Sequence, residues 1–302
     1  MLAPVDLHAQ GPRVSRLLLG AWRLAQSRLD NAGIRNLVAA AIDVGITTID
    51  HADIYGDYAC ERLFGAALID APDLKRQVQI VTKCGIKLRS QLRPEHRVKH
   101  YDTSRAHIIA SAENSLRFLG VERLDLLLLH RPDPFMDADA TAAALDELVA
   151  SGKVAHIGVS NFAPSQMDLL GSRLRAPLTT NQIELSVLQL APFTDGTLDA
   201  CQLRRMAPMA WSPLGGGRLF AEGDAHARRL RDTLYRIGQK KNGASIEQMA
   251  YAWLLAHPAR IVPVLGTSKI ERLREAARAI DLDLDRQDWF EIWQAAAGNE
   301  VP

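Results

Sequence analysis

The sequence predicts an α/β chain folded as a (β/α)8 TIM barrel, with an N-terminal β-hairpin and extra helices near the C-terminus. Three observations lead there. Short apolar runs alternate with helical stretches, which is the pattern of parallel βαβ units. The chain has 302 residues, close to the ~250 typical of such a barrel. Polar residues capable of chemistry recur just past the ends of the apolar runs, where barrels of this type hold their active sites. No Pro-, Ser- or Gly-rich linker divides the chain, so residues 1–302 read as a single domain.

Taken in order, Val5 to His8 and Val14 to Arg16 read as a hairpin turning at Gly11-Pro12. The first barrel strand is expected over Leu17 to Gly20. A helix from Asn31 to Val44 is ended by Gly45, a residue suited to a left-handed cap. Ile46 to Asp50 reads as a strand, Glu61 to Ile69 as a helix and Val78 to Lys83 as a strand. Thr103 to Leu119 is amphipathic, with Ile108, Ala112, Leu116 and Leu119 on one face. Leu124 to Leu129 has the apolar character of a strand buried on both sides. Helix and strand follow over Ala138 to Ala150 and Val154 to Ser160, and Pro164 opens a short helix. Strands are expected at Leu178 to Ile183 and Met206 to Trp211. Helices from Ala225 to Lys241 and Ser245 to His257 follow, then a last strand at Ile261 to Leu265. Helices from Lys269 to Ile280 and Arg286 to Ala297 complete the chain.

Composition is ordinary for a globular protein, with 47% hydrophobic and 24% charged residues. A formal net charge of +1 gives no sign of a nucleic-acid or anionic-membrane partner. No apolar run approaches the ~18 residues of a membrane span. The N-terminus lacks a basic segment followed by an apolar core, so no signal peptide is expected. Cys60, Cys84 and Cys201 are three and widely spaced, which suggests reduced thiols in a cytoplasmic protein and neither a disulfide frame nor a zinc site. Nothing calls for more than a monomer or weak oligomer.

Asp50, Tyr55, Lys83 and His130 all sit at or just past the ends of predicted strands. Singly, each has an ordinary explanation: a cap, a packed ring, a solvated amine, an imidazole satisfying a carbonyl. Together, at one end of adjacent strands, they suggest proton transfer to a carbonyl oxygen. A ketone or aldehyde accepts hydride readily only if its oxygen is protonated or strongly polarised. Tyr55 is the candidate acid, although a free phenol titrates near 10. An ammonium from Lys83 would lower that value, Asp50 would hold Lys83 charged, and His130 would orient the substrate oxygen.

The stretch from Gly45 through Asp50, His51, Ala52, Asp53, Ile54 and Tyr55 to Gly56, followed by Glu61 and Gly65, resembles the aldo-keto reductase signature. So do Thr82-Lys83, Leu128-Leu129-His130, Gly158-Val159-Ser160-Asn161-Phe162, Asn181-Gln182 and Trp211-Ser212-Pro213-Leu214. The matches run in order from Gly20 to about Ala276. The branch resembles bacterial reductases with short substrate loops, related to potassium-channel β subunits.

The resemblance implies NADPH-dependent, reversible reduction of a small carbonyl compound, with Tyr55, Asp50, Lys83 and His130 as the catalytic tetrad. It implies that Ser160, Asn161 and Gln182 bond the nicotinamide carboxamide and that Trp211 stacks on the ring. Gly20, Trp22 and Arg23 would border cofactor and pocket, with Asp50 beneath. Ser212, Pro213, Leu214 and Gly215 match a pyrophosphate loop. Gly266, Thr267, Ser268, Lys269, Arg272 and Glu275 match the final cofactor turn, where Ser268 and Arg272 would meet the 2′-phosphate. An arginine fork suits a phosphate monoester. Two departures, Thr267 where many members carry Lys and Ala276 where many carry Asn, would loosen adenosine binding. Trp22, Tyr55, His130 and Phe162 would line the substrate pocket, and aromatic walls suit an apolar carbonyl. Loops Arg131 to Asp139 and Gly215 to Asp224 would set specificity.

Two other readings remain. A cofactor-binding regulatory or redox-sensing subunit is allowed by the likeness to channel β subunits, yet such a subunit has no need of an intact tetrad. A metal hydrolase built on His130 and Asp50 lacks further ligands at the other strand ends. No Gly-x-Gly-x-x-Gly follows a strand, so a Rossmann site is not supported.

Overall fold

A computed structural model describes residues 3–301. Eight parallel strands close into a barrel: β1 (Leu18–Gly20), β2 (Thr48–Asp50), β3 (Gln79–Cys84), β4 (Leu124–Leu129), β5 (Val154–Ser160), β6 (Leu178–Glu184), β7 (Met209–Trp211) and β8 (Val262–Leu265). Neighbours in sequence are neighbours in the ring, and β8 pairs with β1 through Val264–Leu18 and Leu265–Leu19. Register aligns Asp50 with Gly20 and Val81, and Lys83 with Leu128. The carboxyl ends of β1 to β4 therefore lie side by side at one mouth.

The two-residue period of a strand sorts the side chains. Leu126 and Leu128 of β4 pack with Leu18, Val81, Met209 and Val262 inside the barrel. Leu127 and Leu129 face the helices outside, with Ile108, Leu145 and Leu148. A hairpin of Val5–Asp6 and Arg13–Val14 covers the amino-terminal end of the barrel. There Leu7 and Val14 join the interior cluster, and the Leu7 carbonyl accepts from the Ala207 amide. One end of the barrel is thus plugged, and the other carries the functional groups.

The helices start and stop where local chemistry demands. Ser104 caps Arg105–Leu119 by accepting from the His107 amide, and Gly120 ends it at φ 66°. Gly65, in the helix Cys60–Leu68, lets that helix approach the carbonyl of Phe118 so closely that a Cβ there would lie 1.9 Å from the oxygen.

Some boundaries differ from the sequence reading. The strand expected from Met206 starts only at Met209, because Pro208 has no amide to donate to the ladder. The helix expected to Ile280 ends at Ala277 and tightens into a 3₁₀ turn over Arg278–Asp281. Helices Pro72–Arg76 and Thr197–Leu203 are additions, as is a second hairpin pairing Ile86–Lys87 with His100–Tyr101.

Candidate active site

Lys83 lies on β3 with its side chain fully buried. Its Nζ donates to Asp50 Oδ1 at 2.7 Å, Asp50 Oδ2 at 2.8 Å and the His51 carbonyl at 2.8 Å, and it stands 3.2 Å from the Tyr55 hydroxyl. An ammonium has only donors and needs several acceptors when removed from water. Asp50 also accepts from Gln182 Nε2 at 2.8 Å, so β6 is tied into the same cluster. Burial pushes the Lys83 ammonium down from its ordinary value, and the Asp50 carboxylate pulls it back up.

The electrostatics at Tyr55 run opposite to the sequence expectation. Burial, and then the Asp50 charge, push the phenol well above its ordinary value. Beside burial, Lys83 does not face Tyr55 as a free ammonium, because both oxygens of Asp50 hold it. The phenol therefore keeps its proton at neutral pH. His130 follows β4, its amide donating to the Cys84 carbonyl at 2.8 Å. Its ring stands edge-on to Tyr55 with centroids 5.8 Å apart. Burial, then the charges of Lys83, Arg131 and Lys99, push its imidazole well below the usual range. The ring is neutral and has one N–H to donate. A protonated phenol beside a neutral imidazole offers two donors at one wall of the site, suited to an oxygen on which negative charge develops.

A second buried layer supports the tetrad. Glu61 accepts from Thr82 Oγ1 at 2.6 Å and Ser115 Oγ at 3.0 Å. Asp53 accepts from Ser111 Oγ at 2.7 Å while its Oδ1 has no partner among the described residues. Burial is the main reason its carboxyl rises from 3.8 to about 7. His51 packs edge-on to Phe64 and is held neutral by burial, down to about 3.

From this floor a cleft of about 1210 Å³ runs across the barrel mouth toward β8. Asp50, Tyr55 and His130 line one part, and Gly20, Trp22 and Arg23 line the stretch past β1, the strand that pairs with β8. Ser160, Asn161, Gln182, Trp211, Ser212, Pro213 and Leu214 line the middle, and Gly266, Thr267, Arg272 and Glu275 the far end. Trp211 Nε1 donates to Asn161 Oδ1 at 2.9 Å, and Asn161 Nδ2 to Ser160 Oγ at 2.7 Å, which fixes the indole against β5. Asn161 at φ 60° and Ser212 at φ 51° hold left-handed backbone just past β5 and β7, a strain often found at binding sites. Gly217 and Gly266 leave open space where a Cβ would stand, so an extended anionic ligand can approach their backbone. The cleft has room and exposed glycine backbone for an extended ligand, and at its far end the Arg272 guanidinium stands among Glu247 and Glu275.

Not every residue singled out in the sequence faces this cleft. Phe162 does not line the pocket and is corrected to a core residue: the turn at Asn161 sends its ring inward, to 1% exposure, and Asn181 brackets its backbone at both amide and carbonyl. Lys83 reaches the cleft only through Tyr55. Gly215 and Lys269 stand outside the lining, and Ser268 with Thr267 borders a small adjoining cavity beside Leu19 and Phe64. The wall is also less apolar than its aromatic residues suggested, because Lys99, Tyr101, Arg131 and Asp57 share it. The hairpin carrying Lys99 and Tyr101 was missed because residues 85–102 show no apolar period. Their density of basic side chains was the available signal. Glu247 and Tyr251, from the helix Ile246–Leu255, were missed as well.

Among the described residues no group of three His, Cys, Asp or Glu side chains could hold a metal ion, and no helix is long and apolar enough to cross a membrane. Cys60, Cys84 and Cys201 are free and buried.

Comparison with known proteins agrees with this geometry. The model of the aldo/keto reductase family matches residues 16–297. Oxidoreductase YdhF of Escherichia coli is 48% identical over the whole of both chains. A 6-dehydroglucose reductase of Agrobacterium fabrum is 49% identical over 95% of this chain and 96% of its own. Among solved structures, the thermostable aldo-keto reductase Tm1743, determined with the inhibitor epalrestat, superposes with a TM-score of 0.81 at 29% identity. That match covers 98% of this chain and 100% of the other.

Proposed function

Because the chain belongs to the aldo/keto reductase family, we propose that it is an NADPH-dependent oxidoreductase reducing an aldehyde or ketone to an alcohol, with Tyr55 as general acid. The observation that carries this reading is the Lys83 ammonium, which touches Asp50 and Tyr55 at once beneath the cleft. NADPH, when bound, supplies the hydride. The chain supplies position, a proton and an electrostatic environment.

The carbonyl oxygen of the substrate is received between the Tyr55 hydroxyl and the His130 imidazole. As negative charge builds on that oxygen, Tyr55 gives up its proton. An alkoxide is far more basic than a phenolate, so the transfer runs downhill even from a phenol held above its ordinary value. The resulting phenolate faces Lys83, whose ammonium stands 3.2 Å away. Asp50 keeps that ammonium charged and in place. His130, neutral, donates its N–H and sets the angle of the carbonyl. In the oxidative direction Tyr55 is the base.

Trp211, Ser160, Asn161 and Gln182 are suited to receive the nicotinamide end. The glycine turn near Gly217 suits the pyrophosphate, and the turn from Gly266 to Arg272 the adenosine 2′-phosphate. The free, buried thiols support a cytoplasmic setting. The test is a panel of aldehydes and ketones, sugar aldehydes included in view of the Agrobacterium relative's name, offered with NADPH and NADH while reduced-cofactor absorbance is followed. Turnover with NADPH supports the reading. Tight NADPH binding without turnover of any carbonyl would favour a regulatory subunit.

A further inference from the structure

Resting on the carbonyl-reduction reading above, we propose that the substrate end of the cleft selects carbonyl compounds bearing a negatively charged group, held by Lys99 and Arg131. Arg131 follows His130 directly at the end of β4, and Lys99 comes from the hairpin that closes over the same mouth. Both line the cleft beside Tyr55 and Trp22. Both charges bear on His130, and that of Arg131 also on Tyr55. Arg131, next to His130 in sequence, and Lys99, on the wall of the same cleft, thus flank the mouth at which the substrate oxygen is received.

Neither cation has a carboxylate within ion-pair distance among the described residues. Neither lining carboxylate at this end pairs with them, and Asp50 is neutralised by Lys83. Asp50 is held by Lys83 and Gln182, and Asp57 accepts from Ser90 Oγ at 2.9 Å. Lys87, on the same hairpin, is by contrast paired with Asp102 at 3.5 Å. Arg131 is also held in place, with its guanidinium 5.4 Å from the Trp211 ring centroid. The hairpin adds Arg89, Arg93 and Arg97 against a single carboxylate, Glu95. Within the lining at this end, Lys99 and Arg131 face one carboxylate not neutralised by an ion pair, Asp57, so the local excess is positive and concentrates anions.

The cofactor phosphates do not account for these two cations. The far end of the cleft has its own guanidinium, Arg272, and it lies near Glu247 and Glu275 around Tyr251. Lys99 and Arg131 act on the residues of the opposite end.

The test compares succinate semialdehyde with butanal, using NADPH and the full-length protein at low and high salt. The expected kcat/KM ratio favours the anion by about tenfold at low ionic strength and contracts at ~1 M salt, where charges are screened within ~3 Å. Lys99→Ala with Arg131→Ala brings the ratio toward one, whereas Arg131→Lys retains most of it. A wild-type ratio at or below one, or a ratio indifferent to salt, would overturn the proposal without any variant having to fold. Brisk reduction of butanal in that case leaves the carbonyl-reductase reading intact, whereas no turnover of either aldehyde would overturn both.

Discussion

Lys83 and Asp50 form an ion pair with the ammonium 2.7 Å and 2.8 Å from the two carboxylate oxygens, and both side chains are shut off from solvent. Such a pair is costly to half-remove, because the surviving charge has neither water nor partner. It also bears on Tyr55, whose phenol is held protonated first by burial and then by the charge of Asp50.

Asp50→Asn and Lys83→Met are each expected to lower stability by about 3–5 kcal/mol, read as a lower urea midpoint. Combined in one chain, the two should cost much less than their sum, because no charge is left unpaired. Additive losses would show that the pair is not coupled.

Two glycines separate packing from propensity. Gly65→Ala gains helix propensity but sets a Cβ 1.9 Å from the Phe118 carbonyl oxygen. Backbone cannot yield as a flexible side chain can, so overpacking should win by about 1–3 kcal/mol. Gly171→Ala, with nothing within 4 Å of its Cβ position, should stabilise by about 0.5–1 kcal/mol. Thermal unfolding of both variants is the measurement.

Asp53 should leave a pH signature on stability. Its folded-state value is raised from 3.8 to about 7, so the native state binds the proton more tightly than the unfolded chain does. The associated stability is fully present below pH 3.8 and is lost as pH rises through about 7. Asp53→Asn lacks that loss. Relative to the wild type, its Tm should improve between pH 4 and pH 8, by about 2–4 °C for each kcal/mol relieved. A Tm difference that does not move with pH would show that Asp53 titrates normally. Comparing the two proteins cancels the opposing contribution of His51, which favours the folded state as pH rises.

The barrel was legible because its evidence is periodic and local. The runs ending at Asp50, Lys83 and His130 alternate with helices, and parallel pairing leaves their polar ends at one mouth. What escaped depends on tertiary contact. The hairpin from Ile86 to Tyr101 has two short paired pieces and no apolar rhythm. Phe162 reads like a pocket aromatic until the left-handed turn at Asn161 and the bracketing amide of Asn181 send it inward. The sign of the shift at Tyr55 depended first on how deeply the phenol is buried and then on the charge of Asp50 beside it, both matters of three-dimensional packing and not of spacing.

Arg272 lines the far end of the cleft beside Thr267 and Glu275. If it grips the 2′-phosphate, Arg272→Ala should weaken NADPH by about ten- to a hundredfold, the ~1.5–3 kcal/mol of a charged hydrogen bond. NADH affinity should hardly change. Fluorescence titration with both cofactors decides, and equal losses would remove Arg272 from the phosphate site.

The central claim is that the Tyr55 hydroxyl delivers the proton. Tyr55→Phe removes that oxygen and little else. Single-turnover reduction of an aldehyde should slow by about 100-fold or more, with NADPH binding within about twofold of the wild type. Hydride transfer that continues at the wild-type rate in this variant would contradict the account.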